Sequence, residues 1–316
     1  MTNEIDLEPL WTPAERRVNA TRLTEFQAFL KKRGHGPFAD FEGLHWFSIN
    51  QAEEFWDAVW DFTGVIGSKG DVVIEHAAHI ADARFFPNAE LNIAENILRP
   101  KGDAGDLLLV ACDESGVKER LSRGEMLNRV GHMQQLLLRH DVGAGDVVAA
   151  WLPNTAASYV VMLAAAGLGA TFVSTSPDFG VDGVLDRFGQ VDPKVLIAAN
   201  GYVYGGRAFD CLDRLAMVRE ALPSLGAVYV HQNIEPQKDL DPTIHGVSLE
   251  DALDQVEPAE PIFTRLPFDH PLYVLFSSGT TGKPKPIVHR AGGVLMTHMK
   301  EQQLACDIRP GDRVFY

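Results

Sequence analysis

Tyr273-Val-Leu-Phe-Ser-Ser-Gly-Thr-Thr-Gly-Lys-Pro-Lys285 joins an apolar run, Tyr273 to Phe276, directly to a loop of hydroxyls, glycines and lysines. The run has the composition of a buried strand, and the loop has the composition of a polyphosphate cradle. Gly279 and Gly282 let the backbone turn tightly and approach a ligand. The amides so freed make an anion-binding concavity. Ser277, Ser278, Thr280 and Thr281 add hydroxyls, and Lys283 and Lys285 add positive charge. A Walker loop needs four residues between its glycines, followed by Lys and Ser or Thr. Here only Thr280 and Thr281 separate the glycines and Pro284 follows the lysine, which disfavours a P-loop kinase or ATPase. The plainer reading is a solvated Gly-Lys turn between a strand and a helix.

Outward from this loop, strand and helix patterns alternate. Toward the N-terminus, Leu107–Ala111 reads as a strand, and Ser122 followed by Glu125 reads as a capping box opening a helix to Arg139. Strands are expected at Val147–Trp151, Thr171–Ser174, Val195–Ala198 and Ala227–His231. Helices are expected at Ala156–Leu168, Val181–Phe188 and Arg207–Leu222. A further helix follows Arg290 and ends near Cys306, and Asp312–Tyr316 reads as the start of another strand. The alternation predicts an α/β fold, a mainly parallel sheet with helices on both faces, whose ligands sit at the carboxyl ends of the strands. Val147 to Pro177 carries no Asp, Glu, Lys, Arg or His, but Pro153, Asn154, Gly167 and Gly169 break it. It therefore reads as strand, helix and strand in a buried core, not as a membrane span. Ahead of this region, helical patterns near Thr21–Lys32 and after Ser48 carry Phe26, Phe29, Phe55 and Phe62, and a third is expected at Asn88–Leu98. Trp46, Trp56 and Trp60 suggest a binding stripe, but Trp56 and Trp60 stand at helical spacing and read as packing anchors.

A chain of 316 residues with 46% hydrophobic content can bury a sizeable core. Its net charge of −15 argues against a general nucleic-acid or anionic-membrane binder, without excluding phosphate ligands held by local lysines. Cys112, Cys211 and Cys306 are odd in number and widely spaced, as expected of reduced thiols in a cytoplasmic protein. His76 and His79 invite a metal reading, but no ligand set of known spacing surrounds them, and no metal site is expected. His289, just beyond the loop, reads as a structural hydrogen-bonder.

The run Val274 to Lys285 resembles the signature of the adenylate-forming acyl-CoA synthetase superfamily. Leu10-Trp-Thr-Pro-Ala-Glu-Arg-Arg-Val-Asn-Ala20 is similar to the opening of the acetoacetyl-CoA synthetase branch. Phe85-Phe-Pro-Asn-Ala-Glu-Leu-Asn-Ile-Ala-Glu-Asn96 resembles a segment that acetyl- and acetoacetyl-CoA synthetases carry before their core. Ser174–Gly180 and Asn200–Gly206 also look like the acetoacetyl branch, and Pro286 stands where most of the superfamily has glycine.

The resemblance implies an acetyl-CoA synthetase-like N-terminal large domain, incomplete here, with a leader over 1–100 and the first part of an adenylation domain over 101–316. It implies ATP, Mg2+ and CoA as cofactors or substrates, with acetoacetate converted first to acyl-AMP and pyrophosphate and then to a thioester. Ser277, Ser278, Gly279, Thr280, Thr281, Gly282, Lys283 and Lys285 are the implied ATP-phosphate residues. Lys285 has a plainer role as a salt-bridging lysine. Gly205, Gly206 and Arg207 are the implied CoA-phosphate residues, with a glycine turn capping a helix at Arg207 as the equal alternative. Ser174–Gly180 is either an acyl-pocket wall or an ordinary strand-to-helix turn. The catalytic residues are expected beyond Tyr316, in keeping with the N-terminal portion of a longer enzyme. Small-molecule substrates, no nucleic acid and no membrane span complete the expectation. An acetyl- or propionyl-CoA synthetase and a non-catalytic nucleotide-binding remnant are the alternatives.

Overall fold

The computed structural model describes residues 10–76, 78–99, 102–237, 239–277 and 282–315. The chain divides into two compact units. The larger comprises Ile66–Val72 and Arg84–Gly293. Its centre is a seven-stranded sheet of β1 (Val147–Trp151), β2 (Thr171–Thr175), β3 (Val195–Ala199), β4 (Ala227–His231), β5 (Val247–Ser248), β6 (Pro271–Phe276) and β7 (Pro286–Arg290). The spatial order is β5-β4-β3-β1-β2-β6-β7. Every neighbouring pair is parallel except β6 with β7.

Strand composition explains the placement. All of Val195-Leu-Ile-Ala-Ala199 is buried, as a strand covered on both faces must be. On one face Trp151, Val173, Leu196 and Val230 pack against helices α3 (Val181–Phe188) and α4 (Leu212–Ala221) through Val184, Phe188, Leu215 and Val218. Helices α1 (Arg123–Leu138) and α2 (Ala156–Leu168) pack on one another, with α2 also against β1 and β2. The Ser122–Glu125 capping box opens α1 as expected, with both reciprocal hydrogen bonds made. The uncharged stretch after Val147 is indeed β1, α2 and β2, and α2 ends on Gly169 at φ +84°. No helix among the described residues is long and apolar enough to cross a membrane.

One sequence expectation is extended and two need correction. Leu107–Asp113 is the first strand of a hairpin completed by Gly116–Ser122, a partner the sequence reading did not place. Arg207 does not open a helix: Gly201–Tyr204 and Arg207–Asp210 form a second hairpin, and α4 begins only at Leu212. Tyr202 and Phe209 stack across this hairpin at 5.1 Å, and Gly205 and Gly206, at φ +58° and +71°, make the left-handed turn that a two-residue hairpin loop requires. Asp312–Phe315 is not a strand; it is exposed and has no ladder partner among the described residues.

The smaller unit comprises Met1–Val65, Val73–Ala83 and Val294–Tyr316. Helix Arg22–Lys32 is capped by Thr21, whose side chain accepts from the Thr24 amide. It buries Phe26 against Phe55 and Phe62 at 5.9 and 5.1 Å. Phe55 and Trp60 lie on helix Ala52–Thr63, where Trp60 is buried, as the packing reading expects. Helix Phe41–Asn50, capped by Asp40, was not anticipated, and Trp46 on it is exposed.

Candidate functional site

A cleft of about 660 Å³ opens at the carboxyl ends of β1, β2 and β6. After β2 the chain crosses back to β3, whereas after β6 it turns outward to β7, so the connections diverge between β2 and β6. Such a divergence leaves a crevice at the strand ends, where ligands of open α/β sheets bind. Pro153 and Asn154 follow β1 into the cleft, Ser174 to Ser176 line it from the end of β2, and Phe276 closes β6. Of the Ser174–Gly180 segment, Ser174, Thr175, Ser176 and Phe179 line this cleft. Arg187 of α3 stands over the Phe179 ring at 4.1 Å and the Phe276 ring at 5.9 Å. The Thr175 hydroxyl, on a buried residue, has no hydrogen-bond partner among the described residues. Among the described residues the N-terminus of α2 has no side-chain cap, since Thr155 makes no capping bond.

Ser277 follows Phe276 and starts the loop. Its amide donates to the Lys285 carbonyl at 3.1 Å, and the Lys285 amide donates to its hydroxyl at 3.2 Å. These bonds close a hairpin loop between β6 and β7 rather than a strand-to-helix turn. Pro286 is tolerated there because it opens an edge strand. Gly282 takes φ +135°, a conformation costly for any side chain. Lys283 is 77% exposed and pairs with Asp186 of α3 at 3.3 Å. Lys285 is exposed and makes no ion pair among the described residues. Ser278, Gly279, Thr280 and Thr281 lie outside the described residues.

Gly205, Gly206 and Arg207 sit on their own hairpin. The turn amides of Gly205 and Gly206 each donate at 2.8 Å to the carboxylate of Glu114, at the tip of the Leu107–Ser122 hairpin. This is anion recognition by a turn, with an internal carboxylate as the anion. The amides of Gly206 and Gly205 hold the Glu114 carboxyl below its ordinary value of 4.5. A depressed folded value means that the contact is complete above the ordinary value and lost as pH falls through the lower, folded one. The amide proton shifts of Gly205 and Gly206 are therefore expected to titrate together at acid pH, with a midpoint under that of free glutamate. Flat amide shifts across that range would show that the carboxylate does not sit there.

His289 faces Tyr273 across the β6–β7 ladder, with ring centroids 5.1 Å apart. Of the cysteines, Cys211 is buried while Cys112 and Cys306 are exposed, and all are free thiols. Among the described residues no group of three or more His, Cys, Asp or Glu side chains could hold a metal. The sequence reading missed Asp186, Arg187 and Gln190, which α3 and the turn after it bring to the loop and cleft. The only local signal was an acid in the last turn of α3, where the helix dipole disfavours negative charge.

Comparison with known proteins bears on the whole chain. Residues 104–315 match the model of the AMP-binding enzyme family. Acetoacetyl-coenzyme A synthetase of Rhizobium meliloti (strain 1021) is 42% identical over 98% of this chain and 47% of its own length. Acetoacetyl-CoA synthetase of Xenopus tropicalis is 34% identical over 100% of this chain and 48% of its own. Malonamoyl-CoA synthetase vrtB of Penicillium aethiopicum is 36% identical over 98% of this chain and 44% of its own. Among solved structures, acetoacetyl-CoA synthetase from Streptomyces lividans superposes with a TM-score of 0.87 at 35% identity, over 97% of this chain and 47% of that one. The chain spans about half the length of the curated relatives it matches. With its sheet, its loop and these matches in agreement, the chain belongs to the AMP-binding enzyme family.

Proposed function

We propose that the protein carrying this chain is an acetoacetate–CoA ligase. It uses ATP to convert acetoacetate to acetoacetyl-AMP and pyrophosphate, then passes the acyl group to the CoA thiol. The observation that carries this reading is the hairpin loop Ser277–Lys285, set at the carboxyl end of β6 beside the cleft, with both lysines exposed. Lys283 and Lys285 supply positive charge to the β- and γ-phosphates, while Ser277 and Gly282 supply short backbone approach. Ser278, Gly279, Thr280 and Thr281 join them on the strength of the sequence alone. Mg2+ enters with ATP as part of the substrate. Transfer of this kind is driven mainly by positioning and electrostatics, which is what such a loop provides. Gly205, Gly206 and Arg207 are assigned to CoA phosphate, in competition with Glu114. We divide the chain into a leader over 1–100 and the first part of the adenylation domain over 101–316. The setting is cytoplasmic, with small-molecule substrates.

A second acid is favoured by one specific observation, the malonamoyl-CoA synthetase relative. Acetoacetyl and malonamoyl groups share a carbonyl at the third carbon and differ beyond it by methyl against amide nitrogen. Acid-dependent ATP–pyrophosphate exchange separates the readings. Acetoacetate is expected to support faster exchange than malonamate, acetate or propionate, and a preference for acetate would overturn the assignment.

Lys283→Ala tests the loop. Loss of one charge-assisted contact of about 1.5–3 kcal/mol should raise KM for ATP by about tenfold or more. The fold should be spared, because an exposed ion pair contributes at most about 1 kcal/mol. Unchanged ATP kinetics in this variant would remove the loop from the site.

A further inference from the structure

The phosphate loop does not stand free of the fold. Two side chains at the end of α3 and just beyond it reach it: the Asp186 carboxylate lies 3.3 Å from the Lys283 ammonium, and Gln190 Nε2 donates to the Pro284 carbonyl at 2.9 Å. Asp186 is in the last turn of α3, at the negative end of the helix dipole, where an aspartate is unfavourable unless a cation compensates it. Its neighbour Arg187 does not serve as that cation. Arg187 donates from Nη1 to the Gly183 carbonyl and lays its guanidinium over Phe179 and Phe276. Lys283 is thus the compensating charge, and Gln190 fixes the adjoining backbone within its reach.

We infer that Asp186 is a positioning residue which holds Lys283 as an internal stand-in for phosphate and must release it when nucleotide binds. The inference rests on the reading of Ser277–Lys285 as the ATP-phosphate loop. Its physical content is a competition. The Lys283 ammonium has one anionic partner among the described residues and takes another, the triphosphate, in the complex. The exposed pair is weak, so the exchange is easy; Asp186 keeps the lysine pointed along α3 without tying it down. The binding constant for ATP then contains the cost of breaking this pair, and removing Asp186 removes that cost.

The test is a double-mutant cycle in the full-length protein that carries this chain, reading KM and kcat for ATP in acid-dependent pyrophosphate exchange at low salt. Asp186→Asn is close to isosteric and sits on a partly exposed surface. It is expected to lower KM for ATP by about threefold, with kcat little changed. In the Lys283→Ala background the same substitution is expected to have no effect, because the partner is gone. A residue with only a structural role would raise KM or depress kcat when replaced, so the sign itself discriminates. If Asp186→Asn leaves KM unchanged or raises it while Lys283→Ala weakens ATP use, the loop reading stands and the inference fails. If the gain persists undiminished without Lys283, it reflects the general removal of negative charge, and the inference also fails. If Lys283→Ala leaves ATP use unchanged, the phosphate-loop reading fails and takes the inference with it.

Discussion

Trp151→Ala is expected to cost the fold about 3–5 kcal/mol, the range for deleting a large aromatic from a close-packed core. Trp151 ends β1 and is 1% exposed. It belongs to the face of the sheet covered by α3 and α4, together with Val173 and Leu196, in one cluster with Phe188 of α3. Its indole N–H donates to the Ser176 carbonyl at 3.0 Å, and Arg214 lies 5.6 Å from the ring centroid. Removing the ring opens a cavity beneath α3 and leaves the Ser176 carbonyl without its donor. Because Ser176 lines the cleft, the loss should be felt there as well as in the melting transition. Trp151→Phe separates the two contributions. It keeps most of the packing and loses the N–H, so about 1–2 kcal/mol of the total should remain. Denaturant unfolding of both variants measures this, and a loss below about 1 kcal/mol for the alanine variant would show that the indole is not a packing anchor. Trp46→Ala serves as the contrast: it stands 58% exposed on a helix surface, and its change should stay within about 0.5 kcal/mol.

The tryptophans also show where sequence reading reached and where it stopped. Trp60 could be placed because helical spacing speaks directly to which side faces inward, whereas Trp56, named with it, is only half-buried. Trp151 carries no such local signal, since its importance comes from α3 and α4, which meet it only in the folded chain. The uncharged stretch after Val147 was legible because Pro153 and Gly169 punctuate it, so that hydrophobic runs of strand and helix length separate cleanly. The Ser122 cap was legible because a capping box is a local device with fixed spacing. Hairpins were lost. Gly205-Gly206 between Tyr204 and Arg207 is a two-residue turn signal, yet the leucines from Leu212 onward drew the helix too far back. Ile287 and Val288 have strand propensity, but Pro286 ahead of them disguised an edge strand.

The same division holds at the candidate site. Ser277, Gly282, Lys283 and Lys285 announce themselves by residue type. Asp186 and Gln190 do not, because nothing in a short window connects Gln190 with Pro284, 94 positions away. Glu114 at the Gly205–Gly206 turn is a similar case, with 91 and 92 positions between the partners. An anion-binding motif read from sequence gives the donors, but the anion that occupies them in the resting fold is a tertiary fact.

Asn92→Asp is expected to destabilise the protein more than Asn92→Ala, although aspartate is the closer isostere. Asn92 is 3% exposed within the Phe85–Asn96 segment. Its oxygen accepts from the Glu95 amide at 3.2 Å and caps helix Ile93–Leu98. Its amide nitrogen donates to the carbonyls of Ala166, Gly167 and Thr264 at 2.9, 3.2 and 2.8 Å. Those carbonyls belong to the last turn of α2 and to the strap entering β6, which the Thr264 amide also ties to the Gly167 carbonyl at 2.8 Å. Gly167 has no room for a side chain: a Cβ there would stand 2.2 Å from Gln134 Nε2 and 2.8 Å from the Ile262 carbonyl. The strap therefore cannot shift to find other donors. With alanine, the Thr264 carbonyl loses its Asn92 donor and the cap is lost, for about 2–3 kcal/mol in all, while the Gly167 and Ala166 carbonyls keep the amides of Thr264 and Gly169. With aspartate, the cap survives, since Asp and Asn cap equally well, but a carboxylate now faces three carbonyls in a buried site and should cost more than alanine does. Denaturant unfolding of the two variants therefore decides which job matters: if aspartate proves neutral, Asn92 is chiefly a helix cap, and if aspartate is the worse substitution, Asn92 is the clamp that holds the strap to α2.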